Sequence, residues 1–191
     1  MNYEQSINYI HSIPKFRRPL GNANLEKLLN HLGNPQKKLK FIHIAGTNGK
    51  GSTAAMTAEI LKKSGFKTGL FTSPYLEVFN ERIRINGENI TDNDLAEYVT
   101  RVKAIMEKNN ALVSEFAFIT AVSFLYFYEK QCDIVVLEVG MGGKLDATNV
   151  IDSSLVSVIC KISATLSKKL LKKNAVLCVT AAQPFHIRIM M

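Results

Sequence analysis

The sequence predicts an α/β domain of the P-loop type, in which a mostly parallel sheet carries helices on both faces. Three observations predict it. An apolar run at 41–45 breaks at a glycine-rich turn and opens into a helical pattern, which is the strand–loop–helix arrangement of phosphate-binding folds. A short second strand at 67–72 completes a strand–helix–strand unit of parallel type. The continuous β-branched run at 132–140 is typical of a buried parallel strand.

The remaining elements follow from periodicity and from end signals. Apolar residues at helical spacing predict two helices before the first strand, and Gly65 closes the helix after the turn. Asn86-Gly87 marks a small hairpin, and Thr91 is a good N-cap for the helix that follows it. The helix ending near Lys130 is apolar nearly all round, so we expect it to be buried. The expected helices cover 3–13, 22–32, 52–64, 92–109 and 115–130, and a last strand covers 154–159.

Composition limits the class of protein. The chain has 191 residues, of which 47% are hydrophobic, enough for a full core. No apolar stretch is long enough to span a bilayer, and the first residues do not resemble a secretion signal. The three cysteines are odd in number and lack metal-ligand spacing, so we expect reduced thiols and a cytoplasmic protein.

The positive charge is concentrated at the end of the chain. Residues 1–150 carry 18 Lys and Arg against 15 Asp and Glu, whereas residues 151–191 carry 6 against 1. A basic segment at 161–173 offers an alternative function, binding to nucleic acid or to a membrane surface. It contains no interleaved aromatic residues. We therefore expect neither nucleic acid nor membrane as a partner.

The glycine-rich turn is interpreted as an ATP phosphate loop. Two glycines supply unusual backbone angles and a close approach, and the lysine places a positive charge on the outer phosphates. The general Walker A pattern is not matched, because its first glycine falls at Ile44 and a glycine follows the lysine. An ordinary surface turn is the alternative, and the flanking strand and helix favour the nucleotide site. The predicted nucleotide-binding residues are Gly46, Thr47, Asn48, Gly49, Lys50, Gly51 and Ser52.

An acidic residue ends the strand at 132–140. Open α/β sheets bind ligands at the carboxyl ends of their strands, so Glu138 is expected to hold Mg²⁺. The alternative is that Glu138 is the first solvated residue after the strand. The loop at 14–21 carries Lys15, Arg17 and Arg18, and there the sequence favours a solvated connection over a lid that faces an anion.

Several motifs in order resemble one family. They are 32–36 (LGNPQ), 44–52 (IAGTNGKGS), 72–76 (TSPYL), 80–83 (NERI) and 138–149 (EVGMGGKLDATN). Together they resemble the folylpolyglutamate synthase/dihydrofolate synthase family within the Mur ligase superfamily. The resemblance covers nearly all of 1–159 and implies a fold like the Mur ligase central domain.

The resemblance also implies a reaction and its residues. The family joins L-glutamate to dihydropteroate or tetrahydrofolate with ATP and Mg²⁺, through an acyl phosphate. Lys50 and Glu138 are the implied catalytic residues, and Ser73 and Glu138 the implied metal ligands. The loop near the pterin and folate substrate is implied to contain Ser73, Pro74, Tyr75, Glu81 and Arg82. A monomer is expected.

The sequence departs from the family at two places. Tyr75 stands where the commoner form has His, and we expect this to tune the substrate loop. After Ile159 the family's Leu-Asp-His and Lys-Ala-Gly-Ile segments are replaced by a divergent basic tail, 160–191, that looks frameshifted or truncated. We therefore expect an ATP-binding domain at 1–159, no C-terminal ligase domain, weak ATP binding and no ligation. A non-catalytic ATP-binding remnant is the alternative function.

Overall fold

The computed structural model describes residues 1–17, 21–161, 176–179 and 187–190. In these ranges eight strands form one sheet in the order β4-β3-β2-β5-β1-β6-β7-β8. The strands are β1 (Phe41–Ala45), β2 (Thr68–Phe71), β3 (Ile83–Ile85), β4 (Glu88–Asn89), β5 (Ile134–Glu138), β6 (Val156–Ile159), β7 (Val176–Val179) and β8 (Ile187–Met190). The helices are α1 (Tyr3–Ser12), α2 (Ala23–His31), α3 (Lys50–Lys63), α4 (Asp92–Lys108) and α5 (Glu115–Glu129).

Strand β1 lies at the centre of the parallel part of the sheet. It pairs in parallel with β5 and with β6, so that Ile44 stands opposite Glu138 and Ala45 stands opposite Ile159. Strand β2 pairs in parallel with the other edge of β5. The carboxyl ends of β1, β2, β5 and β6 therefore meet at one edge of the sheet, where open α/β sheets bind their ligands.

Helices cover both faces of this sheet, which confirms the predicted fold class. On one face the large core joins α1, α2, α4 and α5 to alternate strand residues such as Val135 and Leu137. On the other face α3 packs over a smaller cluster that includes Val136, Ile44 and Ala54. Successive residues of β5 thus point to opposite cores, as a strand buried on both faces requires.

The helix ends follow from local sequence. The Thr91 side chain accepts a hydrogen bond from the Asp94 N–H, which caps α4 as predicted. Asn2 and Gln5 form a reciprocal capping box at the start of α1, which our sequence analysis missed. Helix α5 is buried along most of its length because almost all of its faces are apolar. Within the described ranges, no helix is both long and apolar enough to cross a membrane.

The sheet continues beyond the last strand that the sequence predicted. Strand β7 pairs in parallel with β6, and β8 pairs antiparallel with β7. Most of the basic segment at 161–173 lies outside the described residues. The division of the chain into 1–159 and a tail stays a prediction.

Candidate functional site

The turn after β1 has the backbone of a phosphate loop. Gly46 and Gly49 have φ angles of 145° and 81°, which favour glycine. A Cβ atom on Gly46 would lie 2.8 Å from the Cβ of Cys160, so a side chain does not fit there either. Among the described residues, no side chain caps α3 at Gly49. The first N–H groups of this 14-residue helix can therefore donate hydrogen bonds to an anion, and the positive end of the helix dipole would add to the attraction.

The segment after β6 supports the loop from the side. The N–H groups of Thr47 and Asn48 donate to the Lys161 carbonyl at 2.9 and 3.4 Å. The N–H of Cys160 donates to the Ala45 carbonyl at 2.8 Å. The Lys50 ammonium donates to the Thr47 carbonyl at 3.4 Å, which folds this side chain over its own loop. A phosphate group would therefore meet the N–H groups of the first turn of α3 together with Lys50.

Glu138 lies directly against this loop. The side chain is 3% exposed, and its Oε2 accepts a hydrogen bond from the Ser73 N–H at 3.0 Å. A Cβ atom built on Gly51 would lie 3.6 and 3.8 Å from the two carboxylate oxygens. Burial raises the pKa of Glu138, while the Ser73 N–H and the positive charges of Lys50 and Arg82 oppose that rise. Glu138 is thus not a solvated residue after the strand, the alternative that the sequence left open.

The residues around Glu138 suit a hard divalent cation. Carboxylate and hydroxyl oxygens are the ligands that Mg²⁺ prefers, and Mg²⁺ at nucleotide sites usually takes one or two carboxylates together with phosphate oxygens and waters. The described residues contain no cluster of three or more His, Cys, Asp or Glu side chains. The residues around Glu138 therefore suit a metal ion whose remaining ligands come from a bound nucleotide and from water. The missing Cβ of Gly51 leaves room beside the carboxylate for such an ion.

A cavity of about 840 Å³ opens beside Ser73, the hydrogen-bond partner of Glu138. Its walls come from the loop between α1 and α2, the loop after β2, the start of α5 and the loop after β5. Its lining is largely aliphatic, and it also includes four aromatic side chains, three basic ones and two carboxyl groups. These are Phe16, Tyr75, Phe79, Phe116, Lys15, Arg17, Arg82, Glu115 and Asp146. A cavity of this size and composition suits a flat, partly anionic small molecule.

Arg82 presents a positive charge to the cavity. Its guanidinium lies over the rings of Tyr75 and Phe79, at 5.1 and 5.4 Å from their centroids. Its Nε is buried and has no hydrogen-bond partner among the described residues, and the same holds for the Nε of Arg17. Burial lowers the pKa of Arg82, although the negative charge of Glu115 opposes this. Two guanidinium groups in one cavity, each with an unpartnered Nε, favour a carboxylate ligand.

Comparisons with known proteins find relatives of this chain. The folylpolyglutamate synthase of Lacticaseibacillus casei is 43% identical over 175 residues, which cover 89% of this chain and 41% of that protein. A solved complex of FPGS with AMPPCP and folate superimposes with a TM-score of 0.84 at 39% identity, over 94% of this chain and 48% of the other. Over most of its length this chain is similar to part of the folylpolyglutamate synthase/dihydrofolate synthase proteins.

Further comparisons agree with this similarity. The Mycobacterium tuberculosis folylpolyglutamate synthase in complex with ADP gives a TM-score of 0.76 at 34% identity, over 84% of this chain and 37% of the other. No model in the collection of protein-family models matches the chain. The chain spans about two fifths of the length of the curated synthases it matches.

The structure brings most of the predicted site residues of this synthase family together. The loop from Gly46 to Ser52 and Glu138 adjoin each other, and Ser73, Pro74, Tyr75 and Arg82 line the cavity. Glu81 does not line it. Its carboxylate accepts hydrogen bonds from the N–H groups of Leu76, Glu77 and Val78 at 2.8–3.0 Å. Glu81 shapes the substrate loop, and its contact with substrate stays a prediction.

Several cavity residues were not assigned from the sequence, Arg17, Phe116 and Asp146 among them. Arg17 is half-buried, whereas Lys15, Phe16 and Gly21 of the same connection are exposed, as the expected solvated connection requires; Arg18 lies outside the described residues. Phe116 starts a helix that looked like uniform core, and Asp146 lies in the glycine-rich loop after β5. For Asp146, a signal was available in the sequence, since an acidic residue close to three glycines is typical of a functional loop.

Proposed function

We propose that this chain binds ATP with Mg²⁺ at the loop after β1 and a pteroate or folate in the adjoining cavity. We propose further that this site serves the family's ligation of L-glutamate to dihydropteroate or tetrahydrofolate, while the chain by itself is expected to bind ATP weakly and not to ligate. The observation that carries the proposal is the position of Ser73, which lines the cavity while its N–H is hydrogen-bonded to Glu138. Glu138 in turn lies against Gly51 of the loop. Nucleotide and substrate would therefore share one wall.

Ligands of the related structures support this pairing. AMPPCP is an ATP analogue, and it occurs together with folate in an FPGS complex that superimposes closely on this chain. A pteridine ring would lie against Tyr75 and Phe116, whose flat faces suit aromatic stacking. The carboxylate of the substrate would face Arg82, whose Nε lacks a partner among the described residues.

The chemistry would begin with a phosphoryl transfer. A carboxylate oxygen of the folate or pteroate attacks the γ-phosphorus of ATP, and the bond from this phosphorus to the β,γ-bridging oxygen breaks. The products are an acyl phosphate and ADP. The chain's own contribution is positioning and charge: Lys50 and the N–H groups of α3 hold the phosphates, and Arg82 orients the carboxylate. Mg²⁺, held by Glu138 and Ser73, would neutralise charge on the phosphates.

The second step would form the amide. The amine of L-glutamate attacks the acyl carbon, loses a proton and expels inorganic phosphate. Charge develops on the acyl oxygen in this step, and preorganised positive groups such as Arg82 would stabilise it. Lys50 and Glu138 are the residues that we propose as catalytic.

Partners and location are proposals of the same kind. We propose a cytoplasmic monomer that acts on small molecules, without nucleic acid or membrane. Cys132 and Cys160 are free and buried, which suits a reducing compartment. The basic segment at 161–173, which offered nucleic-acid or membrane binding as an alternative function, lies outside the described residues apart from Lys161.

Two titrations of the full chain test the proposed function. Folate binding, followed by calorimetry, should be measurable and should weaken about tenfold or more in Arg82→Ala, since a buried charge-assisted hydrogen bond contributes roughly 1.5–3 kcal/mol. Lys27→Ala on the exposed side of α2 is the charge-matched control and should bind like the wild type. Binding of Mg·ATP without any binding of folate or dihydropteroate would favour the non-catalytic remnant.

A further inference from the structure

A buried histidine in β1 plays no part in the chemistry described above. His43 is 2% exposed at the centre of the sheet. Its Nε2 lies 2.9 Å from the hydroxyl oxygen of Thr148, a residue 105 positions later in the chain. Burial lowers the pKa of His43 to about 4, so the imidazole is neutral at physiological pH.

The direction of each hydrogen bond follows from the groups involved. The Thr148 Oγ1 lies 2.6 Å from Oδ1 of Asp146, and the Thr148 N–H donates to the same oxygen at 2.9 Å. Burial raises the pKa of Asp146, and the hydrogen bonds from Met141 and Thr148 oppose that rise. The ionised carboxylate accepts only, so with Asp146 in this state the single hydroxyl proton of Thr148 goes to Asp146. The Thr148 oxygen must then accept from His43. This places the imidazole proton on Nε2.

Asp146 at the end of this chain of hydrogen bonds shapes the cavity wall. Its Oδ2 accepts the Met141 N–H at 2.7 Å, and its own N–H donates to the Gly143 carbonyl at 2.9 Å. These bonds close the loop at 141–146. Met141, Leu145 and Asp146 from this loop line the cavity. One carboxylate therefore sets the position of an entire wall.

We propose that His43 and Thr148 are positioning residues for this wall, acting through the hydrogen-bond series His43–Thr148–Asp146. The imidazole fixes the hydroxyl rotor of Thr148, and the hydroxyl fixes the carboxylate that closes the 141–146 loop. His43 lies on β1, three residues before Gly46 of the loop that follows the strand. Strand β1 therefore anchors both the phosphate loop and the wall of the neighbouring cavity.

The structural part of this inference does not depend on the identity of the ligand, whereas its effect on folate affinity rests on the proposed function. A protein labelled with ¹⁵N-histidine tests the first part without any substitution. We expect long-range ¹H–¹⁵N spectra of His43 to show a protonated Nε2 and an unprotonated Nδ1. A proton on Nδ1 would overturn the series.

Two substitutions at Thr148 form a matched pair. Thr148→Val keeps the shape and removes the hydroxyl, while Thr148→Ser keeps the hydroxyl. Hydrogen exchange of the Met141 amide should accelerate about tenfold or more in the valine variant and stay near the wild-type rate in the serine variant. Amides in α4 serve as an internal control for global stability. Equal protection of the Met141 amide in the two variants would contradict the proposal.

His43 offers a second pair, which serves if the valine variant fails to fold. His43→Gln retains an N–H donor near the position of Nε2, and His43→Leu does not. Folate affinity should fall about fivefold or more in the leucine variant and recover in the glutamine variant, with Mg·AMPPCP affinity unchanged in both. Equal folate affinities, or a parallel loss of Mg·AMPPCP affinity, would refute a positioning role.

The two proposals fail in distinguishable ways. Should the wild type bind no folate while the tautomer and the Met141 exchange behave as expected, the proposed function falls and the positioning role of His43 and Thr148 stands.

Discussion

Replacing Glu138 by glutamine separates its role in binding from its effect on folding. Glutamine has nearly the same shape as glutamate and keeps an oxygen that can accept a hydrogen bond from the Ser73 N–H. In the wild type this bond joins the Ser73 nitrogen to Oε2 of Glu138 at 3.0 Å. It removes a charge from a side chain that is 3% exposed. Because burial raises the pKa of Glu138, the ionised carboxylate is less stable in the folded chain than in the unfolded one.

The sign of the stability change follows from that rise. The contribution of Glu138 to stability is present below its ordinary pKa of 4.5 and is lost as the pH rises through the higher folded pKa. At pH 7 we expect Glu138→Gln to increase the free energy of unfolding by about 1 kcal/mol, a common gain at functional sites. Near pH 4 the gain should shrink toward zero, because the wild-type carboxyl is then protonated as well.

The effect on nucleotide binding depends on the metal. A phosphate over the first turn of α3 would lie near the carboxylate, whose oxygens are 3.6 and 3.8 Å from the Cβ position of Gly51. Like charges about 6 Å apart repel by roughly 0.7 kcal/mol in water and roughly 3 kcal/mol at an effective dielectric constant of 20. Without metal, Glu138→Gln should therefore bind ATP more tightly, on the order of fivefold. With Mg²⁺ it should bind ATP at least about tenfold more weakly, since it lacks a ligand.

Denaturant unfolding at pH 7 and pH 4 measures the first effect. Calorimetric titration of ATP, with either Mg²⁺ or a chelator present, measures the second. Loss of both kinds of ATP binding together would show that Glu138 is structural and would refute the metal assignment. An unchanged stability at pH 7 would refute the argument from burial.

Three further substitutions probe the site. Gly51→Ala places a methyl group beside the carboxylate of Glu138; we expect weaker Mg·ATP binding by calorimetry with a melting temperature that is unchanged or higher, because alanine favours the helix. Three loop N–H groups lower the pKa of Glu81, so the Glu81 carboxylate stabilises the loop above pH 4.5 and this stabilisation is lost at lower pH. Amide hydrogen exchange should show the loop opening at low pH in the wild type, and at all pH values in Glu81→Ala. Gly140→Ala puts a Cβ 2.5 Å from the Phe116 ring and should cost about 1–3 kcal/mol of stability, measured by denaturant unfolding, and reduce folate affinity.

Each of these three predictions would be contradicted by one specific result. Wild-type Mg·ATP affinity in Gly51→Ala would mean that no ion lies beside that residue. Exchange of the loop amides that does not change with pH would remove Glu81 as the anchor of the loop. Full stability in Gly140→Ala would show that the Phe116 ring moves aside without cost.

The parts of the site that depend on local pattern were predictable from the sequence. The loop after β1 is contiguous, so glycine spacing and a flanking apolar strand sufficed to place Lys50 at a helix start. Glu138 followed from the general position of ligands at strand ends. Both assignments concern residues whose position is fixed by their own secondary-structure element.

The parts that depend on the topology of the chain were not predictable. Arg17 and Asp146 come from distant segments, and only the packing of α2 and α5 brings them to one cavity. His43 looked like any residue in a buried strand, since its partner Thr148 is 105 positions away. Strands β7 and β8 lie in the tail after Ile159, where no strand was predicted.

The most direct test of this account is calorimetric titration of Mg·AMPPCP into the full chain and into Lys50→Ala. We expect one site per chain, and we expect the variant to bind at least about tenfold more weakly, a loss of about 1.4 kcal/mol, with the same melting temperature. The half-buried Lys50 side chain lies in the loop and outside both hydrophobic cores, so its removal should not unfold the domain. Equal affinities for the two proteins, or no binding by the wild type at millimolar concentrations, would contradict the account.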